Sequence, residues 1–470
     1  MTITTCSRPE GTGVAGLVCI KRAAFLDSDQ AIGGRRRPEY RATSFFRNAK
    51  KALVRRTSAR ASANRPGAPA GDAPVWGARD RMAARRRRIL FACTTGFTMA
   101  TLYRGLFPYL ERHGWEIEVA IGGRDISEFS PADFGDPVIH RLPMEREISP
   151  FKDLAGLAAF VRLLARRRFD VIHVSTPKAS LLGSIAASVT RNGPVVFVYR
   201  RRVYELMSGA RQRIFIGVDR VIASLSNKVV PISRELGEQL VGDGVCSRDK
   251  LHFIGAGSSN GINIERFAPG AGAEGAAELR TELGIPAGAP VLLYVGRIIG
   301  EKGVDLLPEV HARVRERLPE AHLVLVGPED DRDPVKAETL AYLRGTPQVH
   351  WLGYRNDPRT AYALGDLFVF PSYFEGFGNV LLEAAAMEVP AVAFDVSGVR
   401  EAVVDGVSGK LVPSGDAAGM AKAILAIITD RALRERMAKA GRERVVREFA
   451  SAVVHEEIRQ LLERVANAGR

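Results

Sequence analysis

Cysteine is scarce: the 470 residues hold four, Cys6, Cys19, Cys93 and Cys246, with no C-x-x-C pair and no histidine at zinc-ligand spacing. That excludes a disulfide-stapled scaffold and a zinc finger, and leaves ordinary small side chains in a reducing compartment. Long apolar runs are missing too. No window of 18 residues is free of charge, and the most apolar helical stretch, 154–165, is broken by Arg162, so no segment is expected to cross a bilayer. The phosphate-binding pattern G-x-x-x-x-G-K-[ST] is absent. A literal G-x-G-x-x-G at Gly11, Gly13 and Gly16 follows Pro9 instead of a strand, and so lacks the context of a dinucleotide site. With 46% hydrophobic and 26% charged residues, the composition excludes collagen and whole-chain disorder. At roughly 100 to 200 residues per domain, the length suggests two or three folded units.

The net charge of +14 is unevenly placed. Residues 1–81 hold 16 Lys plus Arg against 6 Asp plus Glu, a balance of +10, leaving 51 against 47, or +4, for the rest. This first segment is rich in Arg, Ala, Ser, Gly and Pro and has no sustained apolar periodicity, so it cannot bury enough surface to offset its ordering entropy. Its longest apolar piece, 14–20, is followed at once by Lys21-Arg22 and is too short for a secretory signal. Residues 1–81 are therefore expected to be a disordered basic extension, or a misassigned start with translation beginning at Met82. A nucleic-acid-binding protein is a rival reading that rests on this charge alone, and the mildly basic body predicts no nucleic-acid partner.

From Arg87 onward, short β-branched runs alternate with helical patterns of about a dozen residues, the signature of repeated βαβ units. The first series of expected strands is 89–93, 116–122, 138–142, 171–175, 195–200, 229–233 and 251–254; a turn-rich break at 268–275 precedes a second series at 291–295, 322–326, 349–352, 367–370, 391–394 and 410–412. The expected fold class is α/β: two doubly wound Rossmann-like domains, 85–265 and 275–445, facing a cleft. Residues 446–470 continue a helical pattern that could cross back to the first domain. Ligands of such sheets sit at the carboxyl ends of the strands.

Two motifs fall at such strand ends. In Pro371-Ser372-Tyr373-Phe374-Glu375-Gly376-Phe377-Gly378-Asn379 the glycines permit close backbone approach, and a helix follows whose first N–H groups suit an anion. Glu375 and Glu383, eight apart across this corner, read either as grips on two hydroxyl-bearing parts of one ligand or as a helix cap and a surface carboxylate. In Gly296-Arg297-Ile298-Ile299-Gly300-Glu301-Lys302-Gly303 an arginine fork and a lysine point charge suit a diphosphate and can stabilise it as a leaving group, unless they are two solvated loop cations. Asp331-Arg332-Asp333 matches an Asp-x-Asp metal motif but lies in a charged turn near Pro328 and Pro334, so no metal site is expected. Gly255-Ala256-Gly257 follows a strand pattern without a helix to hold a phosphate, which argues against a nucleotide cofactor there.

Together, Gly-Arg-x(4)-Lys-Gly and Glu-Gly-Phe-Gly-x(4)-Glu resemble the nucleotide-sugar half of family 4 glycosyltransferases, retaining enzymes of the two-domain GT-B fold. The resemblance spans about 89–449. It implies that Arg297 and Lys302 hold the donor diphosphate, Glu375 the transferred sugar, Glu383 the ribose, and Gly353-Tyr354 the region of the base, with Gly376, Phe377, Gly378 and Asn379 forming the donor loop. It also implies that Gly96 lets the first domain approach the diphosphate. The segments 173–183 and 255–261 resemble the branch acting on lipid-linked bacterial surface glycans. Where many members carry His-x-His, this chain has His173 and Ser175, so either could serve the acceptor or the core.

On the acceptor side, Lys178 and Arg200, Arg201 and Arg202 are candidates for phosphates or anionic lipid headgroups, each cation near a membrane surface being worth about 1 kcal/mol; Arg166, Arg167 and Arg168 read equally as a solvated face. The implied function is a hexosyltransferase that moves a sugar from a nucleoside diphosphate, UDP being the expected one, to a polyprenyl-diphosphate-linked glycan. It would need no cofactor or metal and would work at the inner face of the bacterial cytoplasmic membrane. A nucleotide-sugar epimerase or a phosphorylase of the same fold is the alternative enzyme.

Overall fold

The computed structural model describes residues 86–123, 131–205, 207–258 and 260–469, so the expectations for residues 1–81 lie outside the described residues. The first sheet contains β1 (Arg87–Thr95), β2 (Trp115–Gly122), β3 (Val138–Arg141), β4 (Val171–Ser175), β5 (Val195–Tyr199) and β6 (Lys228–Pro231). The second contains β7 (Val291–Val295), β8 (His322–Val326), β9 (Val349–Trp351), β10 (Leu367–Phe370), β11 (Ala391–Phe394) and β12 (Gly409–Val412). The central strands read as unbroken apolar runs because helices cover both faces: every residue of β4, β5, β7, β8, β10 and β11 is buried.

Both sheets are parallel and share one winding. Their orders are β3-β2-β1-β4-β5-β6 and β12-β11-β10-β7-β8-β9, two doubly wound Rossmann-like domains. The chain reverses direction between β1 and β4 in one sheet and between β7 and β10 in the other. A crevice opens outside the strand ends at each reversal. The loops that leave β7 and β10 there are those carrying Arg297, Lys302 and Glu375.

Three segments depart from the sequence expectation. The strand expected at 251–254 is a single bridge from Leu251 to Val229, after which the chain leaves the sheet because Phe253 turns against the helix Arg234–Gly242 at Gly237. The turn-rich segment 268–275 already contains the start of the helix Ala273–Glu282, entered through Gly272 at φ +83°. The long C-terminal helical pattern is broken: Arg431–Arg444 runs into a wide turn, Val445–Phe449, before Ser451–Ala468. At that break Ile262 donates its N–H to Phe449 O at 2.7 Å, and Ser451 donates back to Ile262 O at 2.8 Å. The last helix then lies against the first domain, where Tyr109 donates to Glu456 Oε2 at 2.7 Å and His455 Nε2 meets Asn260 Oδ1 at 3.0 Å.

The turn that presents Lys302 depends on one glycine. Gly303 has φ +67°, and a Cβ there would overlap the carbonyl oxygen of Pro371 at the end of β10. Gly303→Ala should therefore add an overpacking cost of about 1–3 kcal/mol to the left-handed penalty of about 1 kcal/mol. Gly288→Ala, at φ +81° in open space, should cost the backbone term alone. Thermal denaturation of the two variants should place Gly303→Ala clearly lower; equal melting temperatures would contradict this reading.

Candidate active site in the cleft

On the second domain the backbone is fixed before the charges are placed. Tyr294, buried in β7, donates its hydroxyl to Arg297 O at 2.8 Å. Burial, with the Glu375 carboxylate adding to it, pushes the Tyr294 phenol well above its usual pKa, so it remains a donor. The short turn Gly300–Lys302 is held by Asp333, whose Oδ2 accepts from Glu301 N–H at 2.6 Å and whose carbonyl accepts from Gly300 N–H at 3.1 Å. Asp333 thus serves the loop itself.

The turn delivers Lys302 to Glu375. Lys302 Nζ donates to Glu375 Oε1 at 2.5 Å and to Phe374 O at 3.0 Å, with Ser372 Oγ 3.1 Å from the same carboxylate oxygen. The two side chains are only 13% and 15% exposed, so the pair lies largely out of water. Arg297 is more open and meets Asp330 Oδ2 at 3.1 Å. An anion entering here would find a fixed ammonium and a half-open guanidinium, whose carboxylate partner Asp330 is also held by Arg332.

Behind this pair, Gly378 at φ +64° starts the helix Asn379–Ala386, with Asn379 exposed at its first position. Glu383, about one turn further along this helix, accepts from Tyr362 Oη at 2.9 Å. Burial pushes its carboxyl up to about 7, against the pull of the Tyr362 hydrogen bond and of Arg266. Gly353, at φ +67°, accepts Gly327 N–H at 2.8 Å through its carbonyl, and Tyr354 after it is 63% exposed. The Phe377 side chain packs within the protein: its ring is buried, lies 5.6 Å from Phe449, and occupies the space a Cβ of Gly257 would need.

The first domain presents its own reversal point. Gly96 is buried at the start of the short helix Gly96–Leu102 after β1. Next to it, Thr176 holds φ +72°, unusual for a β-branched residue, while its hydroxyl accepts Thr94 N–H at 3.0 Å. His173 lies in the core, its ring 4.6 Å from Phe91 and 5.4 Å from Tyr103. Burial and the nearby Arg200 charge push it down to about 3, so it is neutral. Ser175 is fully buried and accepts from Arg200 Nε at 2.7 Å; Arg200 also donates to Tyr103 Oη at 3.0 Å.

The remaining acceptor-side candidates are engaged within the protein. Lys178 pairs with Asp153 at 2.6 Å and donates to Glu147 O. Arg201 reaches across the cleft to Glu301 at 3.4 Å and lies 4.7 Å from the Phe374 ring. Arg202 pairs with Glu205 at 2.9 Å and Asp243 at 3.2 Å. Arg200, Arg201 and Arg202 therefore do not form the lipid-facing patch that their sequence run suggests: each points back into the fold or across the cleft.

The two halves meet closely. A Cβ on Gly376 would overlap the carbonyl oxygen of Arg200 in the opposite domain. Glu401 accepts the N–H groups of Arg234 at 2.9 Å and Glu235 at 2.8 Å, capping the helix Arg234–Gly242 of the first domain. Arg400 meets Glu235 at 3.0 Å beside it. Glu401, Tyr362, Asp330 and Thr176 were not picked out from sequence. The partners of Arg400 and Glu401 lie some 165 residues away in the chain, beyond the reach of any local signal.

Paired Rossmann-like sheets whose reversal-point loops meet across one cleft define the GT-B class. Residues 276–444 match the family described as "Glycosyl transferases group 1", and residues 98–257 match "Glycosyl transferase 4-like domain". The chain belongs to the family 4-like glycosyltransferases. It is 28% identical over 373 residues to the capsular polysaccharide biosynthesis glycosyltransferase CapM of Staphylococcus aureus, covering 79% of this chain and 96% of that one. It is 34% identical over 278 residues to alpha-maltose-1-phosphate synthase of Mycobacterium tuberculosis, covering 56% and 67% of the two chains. Among solved structures, Anabaena Alr3699/HepE in complex with UDP and glucose has the same fold, with a TM-score of 0.68 at 22% identity over 80% of this chain and all of the other.

The state of Glu383 can be tested by pH. Its folded pKa of about 7 exceeds its ordinary 4.5, so the folded protein keeps a proton that the unfolded chain loses between these values. This contribution is full below the lower value and is lost as pH rises through the upper one, at a cost on the order of 3 kcal/mol. Glu383→Gln should therefore melt above the parent protein at about pH 8, and the gap should close toward about pH 5. A gap independent of pH would show that Glu383 is ionised throughout.

Proposed function

We propose that this chain transfers a hexose from a nucleoside diphosphate, UDP being the expected nucleotide, to a hydroxyl of a polyprenyl-diphosphate-linked glycan in the assembly of a bacterial surface glycan. The observation that carries the proposal is the Lys302–Glu375 pair at 2.5 Å, with Arg297 beside it, at the reversal point of the second sheet. The diphosphate of a nucleotide sugar carries two negative charges and gains a third as the anomeric C–O bond breaks, and a preorganised ammonium and guanidinium offset that growing charge. Glu375 orients Lys302 and faces the sugar hydroxyls, Glu383 serves the ribose, and the loop Gly353-Tyr354 flanks the base.

The acceptor hydroxyl attacks from the face that the diphosphate leaves. Its proton passes to the departing phosphate oxygen, and the anomeric configuration is retained. The similarity to CapM over nearly the whole of that protein supports a surface-glycan pathway, and the UDP and glucose named for the Anabaena structure support the donor class. Among the described residues no helix is long and apolar enough to cross a membrane, so the lipid-linked acceptor would be reached from a peripheral position.

Arg297→Ala and Lys302→Ala should each slow transfer by about 2–4 kcal/mol in activation free energy, the usual effect of losing one preorganised charge stabiliser. The assay is mass spectrometry of lipid extracts incubated with a panel of nucleotide sugars, scored for acceptor-dependent release of the nucleotide, with EDTA leaving the rate unchanged. Near-normal turnover in either variant, or loss with EDTA and recovery with Mg²⁺, would overturn the cation-clamp mechanism. Conversion of the donor without any acceptor would favour an epimerase.

A further inference from the structure

The edge strand β3 leaves an open groove of about 430 Å³ against the helix Pro150–Arg166, floored by Ile139, Leu142 and Leu163 and rimmed by arginines. Arg167 is held there by Glu118, whose buried carboxylate sits 2.6 Å from the guanidinium and 2.5 Å from His140 Nε2. Arg141, Arg162 and Arg166 also line the groove, and none has an ion-pair partner among the described residues. The rim therefore carries more cationic charge than its one buried carboxylate offsets.

The same helix is unusual on its outer side. Gly156, Phe160 and Leu164 turn inward, as a packed helix requires. The outward face carries Phe151 at 90% exposure and Leu154 at 67%, followed along the same stripe by the exposed Ala155 and Ala158 and then by Arg162, Ala165 and Arg166. Ile148, just before the helix, is 77% exposed. A soluble surface normally presents charge at such positions, and a contiguous apolar stripe bordered by arginines is the pattern of a helix lying in a membrane interface. At 1.5 Å per residue its 17 residues run about 25 Å, and its first turn lies at the carboxyl end of the first sheet, where the cleft opens.

We propose that the groove and the outward face of the helix Pro150–Arg166 together dock on an anionic phospholipid bilayer, with Phe151 and Leu154 entering the acyl boundary and Arg141, Arg162 and Arg166 meeting headgroup phosphates. The unpaired arginines select an anionic partner, and the apolar stripe selects a bilayer over a soluble anion. Docked in this way, the cleft faces the lipid from which its acceptor would come. The inference deepens the proposed function and rests on it for the presence of a membrane, so it is tested without donor or acceptor.

The full chain is sedimented with vesicles of phosphatidylcholine alone and of phosphatidylcholine mixed with phosphatidylglycerol. Binding should require the anionic lipid. Arg162→Glu with Arg166→Glu should reduce the partition coefficient about tenfold or more, and Phe151→Ser with Leu154→Ser should remove the fraction that resists high salt. All four positions are exposed, so melting temperatures and turnover of a water-soluble acceptor should not change. Binding unaffected by both pairs of substitutions would overturn the proposal and assign retention to residues 1–81. Complete displacement by soluble glycerophosphoglycerol would also overturn it, reducing the groove to a plain anion site.

Discussion

Lys302 and Glu375 come from loops after neighbouring strands, β7 and β10, and meet at 2.5 Å with little access to water. Neither charge is stable there alone, because removing one partner of a buried pair leaves the other uncompensated at a cost of about 3–5 kcal/mol. The surrounding structure follows from keeping them together. Tyr294 and Asp333 fix the loop that carries Lys302, Gly303 lets that loop pass under Pro371, and Ser372 with the Phe374 carbonyl completes the polar shell. A site held in this way changes little when a diphosphate arrives, which is what electrostatic stabilisation of a leaving group requires.

The second constraint is closeness between the domains. Gly376 touches the Arg200 carbonyl with no room for a side chain, Arg201 reaches Glu301, and Glu401 caps a helix of the opposite domain. These contacts use polar groups that already lie partly in water, Arg201 and Arg400 being 42% and 46% exposed, so parting the domains would exchange them for hydration. Their strength in water is modest. Contacts of this kind would cost little to break, as a transferase that exchanges donor and product through its cleft requires.

Much of this was legible in sequence where chemistry and local pattern coincide. The β-branched runs located all twelve strands to within a residue or two, because helices on both faces leave central parallel strands no polar position. The two motifs placed Lys302 and Glu375 at strand ends because their spacing is local, and the structure pairs these two side chains. Roles that depend on distant partners were not legible. The run Arg200 to Arg202 reads as a free basic patch, yet each residue meets a different element. Phe377 reads as part of a ligand loop, but its ring fills the space beside Gly257. The thirteenth expected strand, 251–254, has the composition of a strand, and the turn of Phe253 toward Gly237 takes it out of the sheet.

In the proposed mechanism Lys302 and Glu375 act on the donor as one unit. A double-mutant cycle in kcat/KM for sugar transfer, built from Lys302→Met, Glu375→Gln and the double variant, measures their coupling directly. Strong non-additivity is expected, with the double variant losing little more than the worse single one. Losses that simply multiply would show that the two groups work independently and that their contact is only structural.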